Sequence, residues 1–493
     1  MSAALRVGYI ANDFYPDGSA CPWGLDSRLA AELAAESYPG VNLVALHQSN
    51  GTLDGLDAAL QRMLGEQHVD AVIGADWSRV AVAAAGVLGP RQVPLLSGGA
   101  TSSLLDSLPS VFRTIYSDSD AQPLLASAGA RLGETVALIA SEDDFGMGGL
   151  SVLHQSFAAL GVAVLGNATF ASIDPATGEP VGDGCVGRPD NVRIVARAVA
   201  AARATGARLL AVSATGPSTQ CVFAAAAALG IDPERDVRGW LATEVVHPPG
   251  ALGWASAWGR QVAAGGRGYL TYIGAPFPQA AEYIAFRHAF AARHSGRMPD
   301  DWAAYAYDCV RLLSAAAAAT PNATAFASGP RSPLLLPPPP RGAALLAALR
   351  ASNVAGVTGP LSFAPNRSSP RNVRLVVQQL GWADNISVGS AGGGGGGGDG
   401  DEGKDGGDGN GGGEMSYEEV GASFVTRTGK PGLRLYLDPF LPRLCNVSGG
   451  TDPVAESGAA SGAEGGAEGS AVVSQAREGG NGVSVNFHRS RLA

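Results

Sequence analysis

Two short apolar runs in this chain end in clusters of small polar residues that could do chemistry. Ala71-Val72-Ile73-Gly74 leads into Asp76-Trp77-Ser78, and Val93-Pro94-Leu95-Leu96 leads into Ser97-Gly98-Gly99-Ala100-Thr101-Ser102. Hydroxyls and free backbone N–H groups at two adjacent strand ends suit a small anionic or zwitterionic ligand. Each residue also has an ordinary reading. Ser78 opens a helical stretch and would serve as an N-cap; Gly98-Gly99 would make a tight turn. The phosphate-loop reading is weak, because no Lys follows the glycines and GxxxxGK(S/T) is absent. A third acidic group, Glu244, follows the apolar run 237–242, where a solvated loop glutamate is the plain alternative. Glu142, Asp143 and Asp144 are adjacent on one turn, an arrangement for helix capping rather than for acid–base work across a substrate. No nucleophile elbow, HExxH or kinase set is present. The histidines and the five cysteines (Cys21, Cys185, Cys221, Cys309, Cys445) match no metal-ligand spacing. Catalytic residues, metal and cofactor are therefore all expected to be none.

The elements that must position these residues alternate. Strands are expected at 5–11, 41–47, 71–74, 93–96, 135–140, 162–170, 207–213, 237–242 and 268–272. Helices are expected at 23–37, 53–64, 78–88, 121–132, 147–160, 191–205, 219–229, 279–293 and 302–319. Strand–helix–strand units at this spacing build parallel sheets, whose ligands bind outside the carboxyl ends of the strands. The chain has 493 residues, 46% of them hydrophobic, enough for two or three domains. A net charge of −10, with Lys404 and Lys430 the only lysines, argues against nucleic acid as a partner. No apolar run reaches the ~18 residues of a membrane span. The stretch 391–413 is nearly all Gly and Asp, and the tail from 446 is Gly/Ser/Ala/Glu-rich; both are expected to be disordered. Six N-x-S/T acceptors (Asn50, Asn167, Asn322, Asn366, Asn385, Asn446) favour secretion. Cys185 and Cys221 are candidates for a disulfide, and Cys309, inside a helix, for a buried thiol. Residues 1–7 run straight into a strand, so no leader peptide is read there. Against secretion, this leaves a shortened chain, an excised ectodomain or a cytosolic protein open.

The combination Ile73-Gly74, Ser78, Pro94, Ser97, Ala100-Thr101-Ser102, Leu105, Phe112-Arg113-Thr114 and Ser117-Asp118 resembles the type I periplasmic-binding-protein fold. More narrowly, it is similar to the leucine/isoleucine/valine-binding group and to the ligand-binding region of eukaryotic receptors. Gly356-Val357-Thr358-Gly359-Pro360-Leu361-Ser362-Phe363 matches the same family's late hairpin, in the right order. The resemblance implies an α/β fold of two doubly wound Rossmann-like lobes, a Venus flytrap, joined by a hinge with three crossovers. Lobe one would span 5–119 plus 247–320, lobe two 120–246 plus 340–447, with 448–493 a disordered tail. It implies that Ser78, Gly99 and Thr101 hold the carboxylate and amino group of a ligand. Phe145 would stack on that ligand and Glu244 would bind its α-ammonium. Tyr15, Trp302 and Tyr305 are possible aromatic walls, with core or surface packing the plainer role.

The expectation is a non-enzymatic, extracellular receptor domain that senses an amino acid or similar zwitterion by lobe closure. It would meet the membrane only through an anchor or receptor module, and could pair with a second copy through lobe one. A free solute-binding protein of a transport system, or a degenerate protein-interaction domain, are the alternatives.

Overall fold

The structure, a computed structural model, describes residues 4–15, 18, 20–38, 40–172, 189–232, 235–244, 269–274, 280–320, 341–371, 374–383, 414–425 and 431–434. The Gly-rich stretch 391–413, the tail 448–493, Cys185, Cys445 and the acceptors Asn322, Asn385 and Asn446 lie outside the described residues.

The first sheet is five-stranded, in the order β2-β1-β3-β4-β5. Its strands are β1 (Leu5–Ala11), β2 (Val41–Gln48), β3 (Ala71–Gly74), β4 (Leu95–Ser97) and β5 (Val111–Arg113), all parallel. In β1 every residue but Arg6 is buried, because helices cover both faces of a parallel sheet. Successive residues of β1 serve different cores. Val7, Tyr9 and Ala11 pack with α1 (Pro22–Ser37), whereas Ile10 packs with α2 (Leu56–Gly65) and α3 (Ser78–Leu88). This is the period of two that a strand imposes.

The second sheet repeats that winding. β6 (Thr135–Ser141), β7 (Ala163–Phe170), β8 (Leu209–Ser213), β9 (Gly239–Ala242) and β10 (Tyr269–Gly274) run parallel in the order β7-β6-β8-β9-β10. On one face lie α4 (Asp118–Gly129) and α5 (Asp144–Ala159); on the other, α6 (Pro189–Ala204) and α7 (Gly216–Ala228). β13 (Arg374–Ala383), β14 (Glu414–Val425) and β15 (Pro431–Arg434) extend the β10 edge antiparallel, giving eight strands.

The lobe boundaries differ from those expected in two places. The strand near 270, expected in lobe one, is β10, which pairs with β9 and β13 in the second sheet. The segment after 340, expected in lobe two, divides. Its first part, α10 (Arg341–Ala351) and the hairpin β11 (Asn353–Ala355)–β12 (Pro360–Ser362), packs on lobe one instead. There Leu345, Leu349, Val357, Leu361 and Phe363 join the core of α8 (Ala281–Arg293) and α9 (Asp301–Ala319). The anchor is Asp308 of α9. Its carboxylate accepts hydrogen bonds from the backbone N–H groups of Val357 (2.8 Å) and Thr358 (2.9 Å) and from the Thr358 hydroxyl (2.6 Å). A Cβ at Gly356 would stand 2.4 Å from that carboxylate, which explains the glycine that opens the hairpin. The chain thus passes between lobes three times: at β5–α4, between β10 and α8, and between β12 and β13.

Among the described residues, no helix is long and apolar enough to cross a membrane and no group of His, Cys, Asp or Glu could hold a metal ion. Cys309 is a buried free thiol, as is Cys21. Cys221 is disulfide-bonded.

Candidate functional site

In lobe one the site begins where β3 and β4 end. Ser78 is the first residue of α3 and not its N-cap; Trp77 holds the cap position without a side-chain bond. The Ser78 hydroxyl, buried with the residue at 6% exposure, accepts a hydrogen bond from Ser102 N–H at 3.2 Å. It therefore ties one strand end to the other and keeps its own proton available to donate.

The Gly99 conformation reflects close approach rather than turn geometry. A Cβ there would stand 2.4 Å from Asp76 Cβ. Its N–H donates to Ser97 Oγ at 3.3 Å, and Ala100 N–H donates to the same oxygen at 3.0 Å. These two amides are thus already engaged within the loop. Thr101 is buried, and its carbonyl accepts Asp118 N–H at 2.9 Å, which fastens the site loop to the start of α4.

Arg113, at the end of β5, organises this loop. It is fully buried. Its Nη1 donates to the carbonyls of Thr101 (2.9 Å) and Ser102 (3.0 Å), and its Nη2 pairs with Asp106. Thr114 donates to the carbonyl of Tyr305 at 2.7 Å and so binds the strand end to α9. Residue type and spacing alone do not reveal this bracing role. A lone Arg closing an apolar strand, in a chain poor in charge, is the signal that points to it.

Lobe two contributes the starts of its helices. Asp143 is the N-cap of α5 and accepts from the N–H groups of Phe145 (3.0 Å) and Gly146 (2.8 Å). Phe145 is only 6% exposed yet belongs to none of the four hydrophobic cores. Glu244 is not a solvated loop residue: Gly216 N–H, in the first turn of α7, donates to its carboxylate at 2.6 Å. Burial pushes the Glu244 carboxyl up to about 8. The Gly216 bond opposes this, and the nearby carboxylates of Asp118 and Asp143 add to it.

The lobes touch at the rim. Ser102 Oγ donates to the carbonyl of Asp144 at 2.8 Å, and a Cβ at Gly148 would lie 2.9 Å from that same Oγ. Tyr15 is near enough to Glu244 for its phenol to feel the charge, although burial is the main cause of its raised pKa. Tyr15 Oη accepts from Trp23 Nε1 at 3.2 Å. Trp23 in turn packs against Trp77 (centroids 5.6 Å apart) and Trp302 (6.0 Å). Trp302 therefore stands in this aromatic wall, whereas Tyr305 is buried against the core of the second lobe. Ser78, Gly99 and Thr101 share the loops at one lobe's strand ends; Phe145 and Glu244 share those of the other.

Two doubly wound lobes, linked three times and touching at their carboxyl-terminal strand ends, define a two-lobed ligand-binding protein. Residues 35–381 match the model of the receptor family ligand binding region, and the chain belongs to that family. The fold is that of the type I periplasmic binding proteins. A leucine binding protein from Thermotoga maritima is 16% identical, with a TM-score of 0.57, over 77% of this chain and 96% of its own. A solute binding protein from R. palustris, solved in complex with benzoate, is 18% identical, with a TM-score of 0.54, over 76% and 93%. A branched-chain amino acid transporter substrate binding protein from Streptococcus pneumoniae, solved with isoleucine, is 17% identical, with a TM-score of 0.53, over 76% and 95%. No curated protein matches the chain in sequence.

Proposed function

We propose that this domain senses a small amino acid or similar zwitterion, and that lobe two closes over a ligand first held by lobe one. Ser78 and Thr101 offer hydroxyls, and Thr101 a backbone group, to the ligand's carboxylate and amino group. Glu244 offers a carboxylate to the ammonium, and Phe145 a face to the remainder. The observation that carries this reading is the position of Glu244. Its carboxyl lies near Asp118 and Asp143, whose charges add to the burial that raises it. An ammonium ligand supplies a positive charge in a site that loses water on closure. Because the ligand touches both lobes only when they meet, it stabilises the closed form selectively.

Binding rather than catalysis is the reading for the acids, since Asp143 and Glu244 are engaged at helix N-termini. The disulfide of Cys221 supports work outside the cytoplasm, where such bonds persist. The family description accords with a receptor, and a free solute-binding protein of a transport system is the alternative reading. Attachment to a membrane module and pairing through lobe one belong to the same proposal as expectations of that family.

The test is calorimetric titration of the purified protein with the common amino acids, beside Glu244→Ala. Saturable binding weakened at least about tenfold, or about 1.4 kcal/mol, supports the ammonium contact. Binding that ignores the substitution removes Glu244 from the site. No binding by a folded protein overturns amino-acid sensing.

A further inference from the structure

The first sheet reverses its winding between β1 and β3. Outside the carboxyl ends of strands at such a reversal lies the crevice where open parallel sheets hold ligands. Asn12 just beyond β1 and Asp76 just beyond β3 stand there, and Tyr9, within β1 and packed towards α1, lies beneath them. They are 0%, 7% and 2% exposed. Each has an enclosed polar atom without a hydrogen-bond partner, Tyr9 Oη, Asn12 Nδ2 and Asp76 Oδ1, although the Asp76 carboxylate is also approached by the Gly98 and Gly99 backbone, Asn12 and Ser97. Buried polar groups ordinarily find a partner, so three incompletely matched groups gathered at one crevice leave room for a polar ligand.

The three are neighbours. The Asp76 charge reaches Tyr9, adding to the burial that raises its phenol pKa, and the Asn12 amide reaches the Asp76 carboxylate. Asp13, the residue after Asn12, already has its cation, Arg28, at 2.8 Å. Asp76 abuts Gly99 inside the half-site assigned above to the ligand, since a Cβ on Gly99 would meet Asp76 Cγ at 2.9 Å. Trp77, adjacent to Asp76, joins Trp23 and Trp302 in the aromatic wall.

We propose that Asp76, assisted by Asn12 and Tyr9, forms a second polar subsite that takes the cationic end of the ligand's side chain, making the ligand a basic amino acid. This rests on the amino-acid reading given above. A buried carboxylate without a cation is unfavourable, and a charged partner with hydrogen bonds removes that penalty. Indole faces attract the same cation. A simple aromatic acid would instead bring a second negative charge beside Asp76. Burial holding the Asp76 carboxyl up at about 7 accords with a group that has no cation of its own.

The experiment is calorimetry on the full chain with L-lysine, L-norleucine and benzoate. Norleucine matches the lysine side chain but lacks its ammonium. Lysine binding at least about tenfold tighter than norleucine, or about 1.4 kcal/mol, with that preference lost in Asp76→Asn, is the expected result. Norleucine binding as tightly as lysine to the unaltered protein overturns the second subsite, leaves amino-acid sensing standing, and needs no variant to fold. A lysine preference that survives in folded Asp76→Asn overturns the assignment to Asp76. Binding of benzoate alone, or of none of the three, overturns this inference together with the amino-acid reading.

Discussion

In the second lobe, Asp143 and Glu244 each accept a backbone N–H at the start of a helix, α5 and α7. In the first lobe, Asp76 follows β3 at an equivalent place in the winding. The helix after it, α3, has no side-chain cap, and one Asp76 oxygen is buried without a partner. Two doubly wound sheets thus treat their strand-end acids differently. Helix N-termini carry partial positive charge and unmet N–H groups, so the acids of lobe two are partly satisfied before any ligand arrives. The comparison teaches that the strand-end acids of lobe two are matched by helix N-termini, whereas Asp76 in lobe one keeps an unmatched oxygen.

The sharpest way to break the comparison is to loosen the lobe-one loop alone. Arg113→Met removes the cation paired with Asp106 and one donor from each of the carbonyls of Thr101 and Ser102. Removing one member of a buried pair costs about 3–5 kcal/mol, so chemical denaturation should show a loss of that order. Ligand binding should vanish before the second lobe's own unfolding signal changes.

Glu244→Gln keeps the shape of the lobe-two acid and removes its charge. Affinity for an amino acid should fall about tenfold in calorimetry, with thermal stability unchanged or raised, because a desolvated carboxyl is replaced by an amide. Equal affinity would show that lobe two closes without using this charge.

Gly148→Leu tests closure itself. A Cβ there would stand 2.9 Å from Ser102 Oγ across the rim, so the longer side chain should hold the lobes apart. Small-angle scattering with saturating ligand should show no compaction, and affinity should drop by about tenfold or less. Compaction equal to that of the unaltered protein would place closure elsewhere.

The smallest effect is on the pH dependence of stability. Burial raises the carboxyls of Asp308 to about 6, Asp76 to about 7 and Glu244 to about 8. Each binds its proton more tightly folded than unfolded. Their contribution is therefore fully present below the unfolded carboxyl range and is lost as pH rises from there through 6 to 8. The melting temperature of the ligand-free protein should fall across that window, and Asp76→Asn should flatten the fall near 7. An unchanged slope in the variant would mean that Asp76 does not titrate there.

The alternating apolar runs are enough to define nearly every strand and helix, because burial on both faces of a parallel strand forces a continuous apolar segment. The elements 78–88 and 135–140 are placed within a residue or two of α3 and β6. Lobe membership late in the chain is less legible. Nothing local distinguishes a strand that pairs with β9 from one that extends the first sheet, and β10 does the former. Likewise the apolar face of α10 would suit either core; Asp308, on a distant helix, settles it by receiving the hairpin that follows.

The sequence by itself determined the two α/β lobes, the polar strand ends at Ser78 and Thr101, and the acid at Glu244, because short-range periodicity and residue type carry that information. Only the tertiary structure decided that Arg113 braces the site loop, that Glu244 meets the start of α7, and that Tyr9, Asn12 and Asp76 share one crevice. Those relations join residues far apart in the chain. They depend on which strands become neighbours, a choice made by the packing of whole helices rather than by any segment alone.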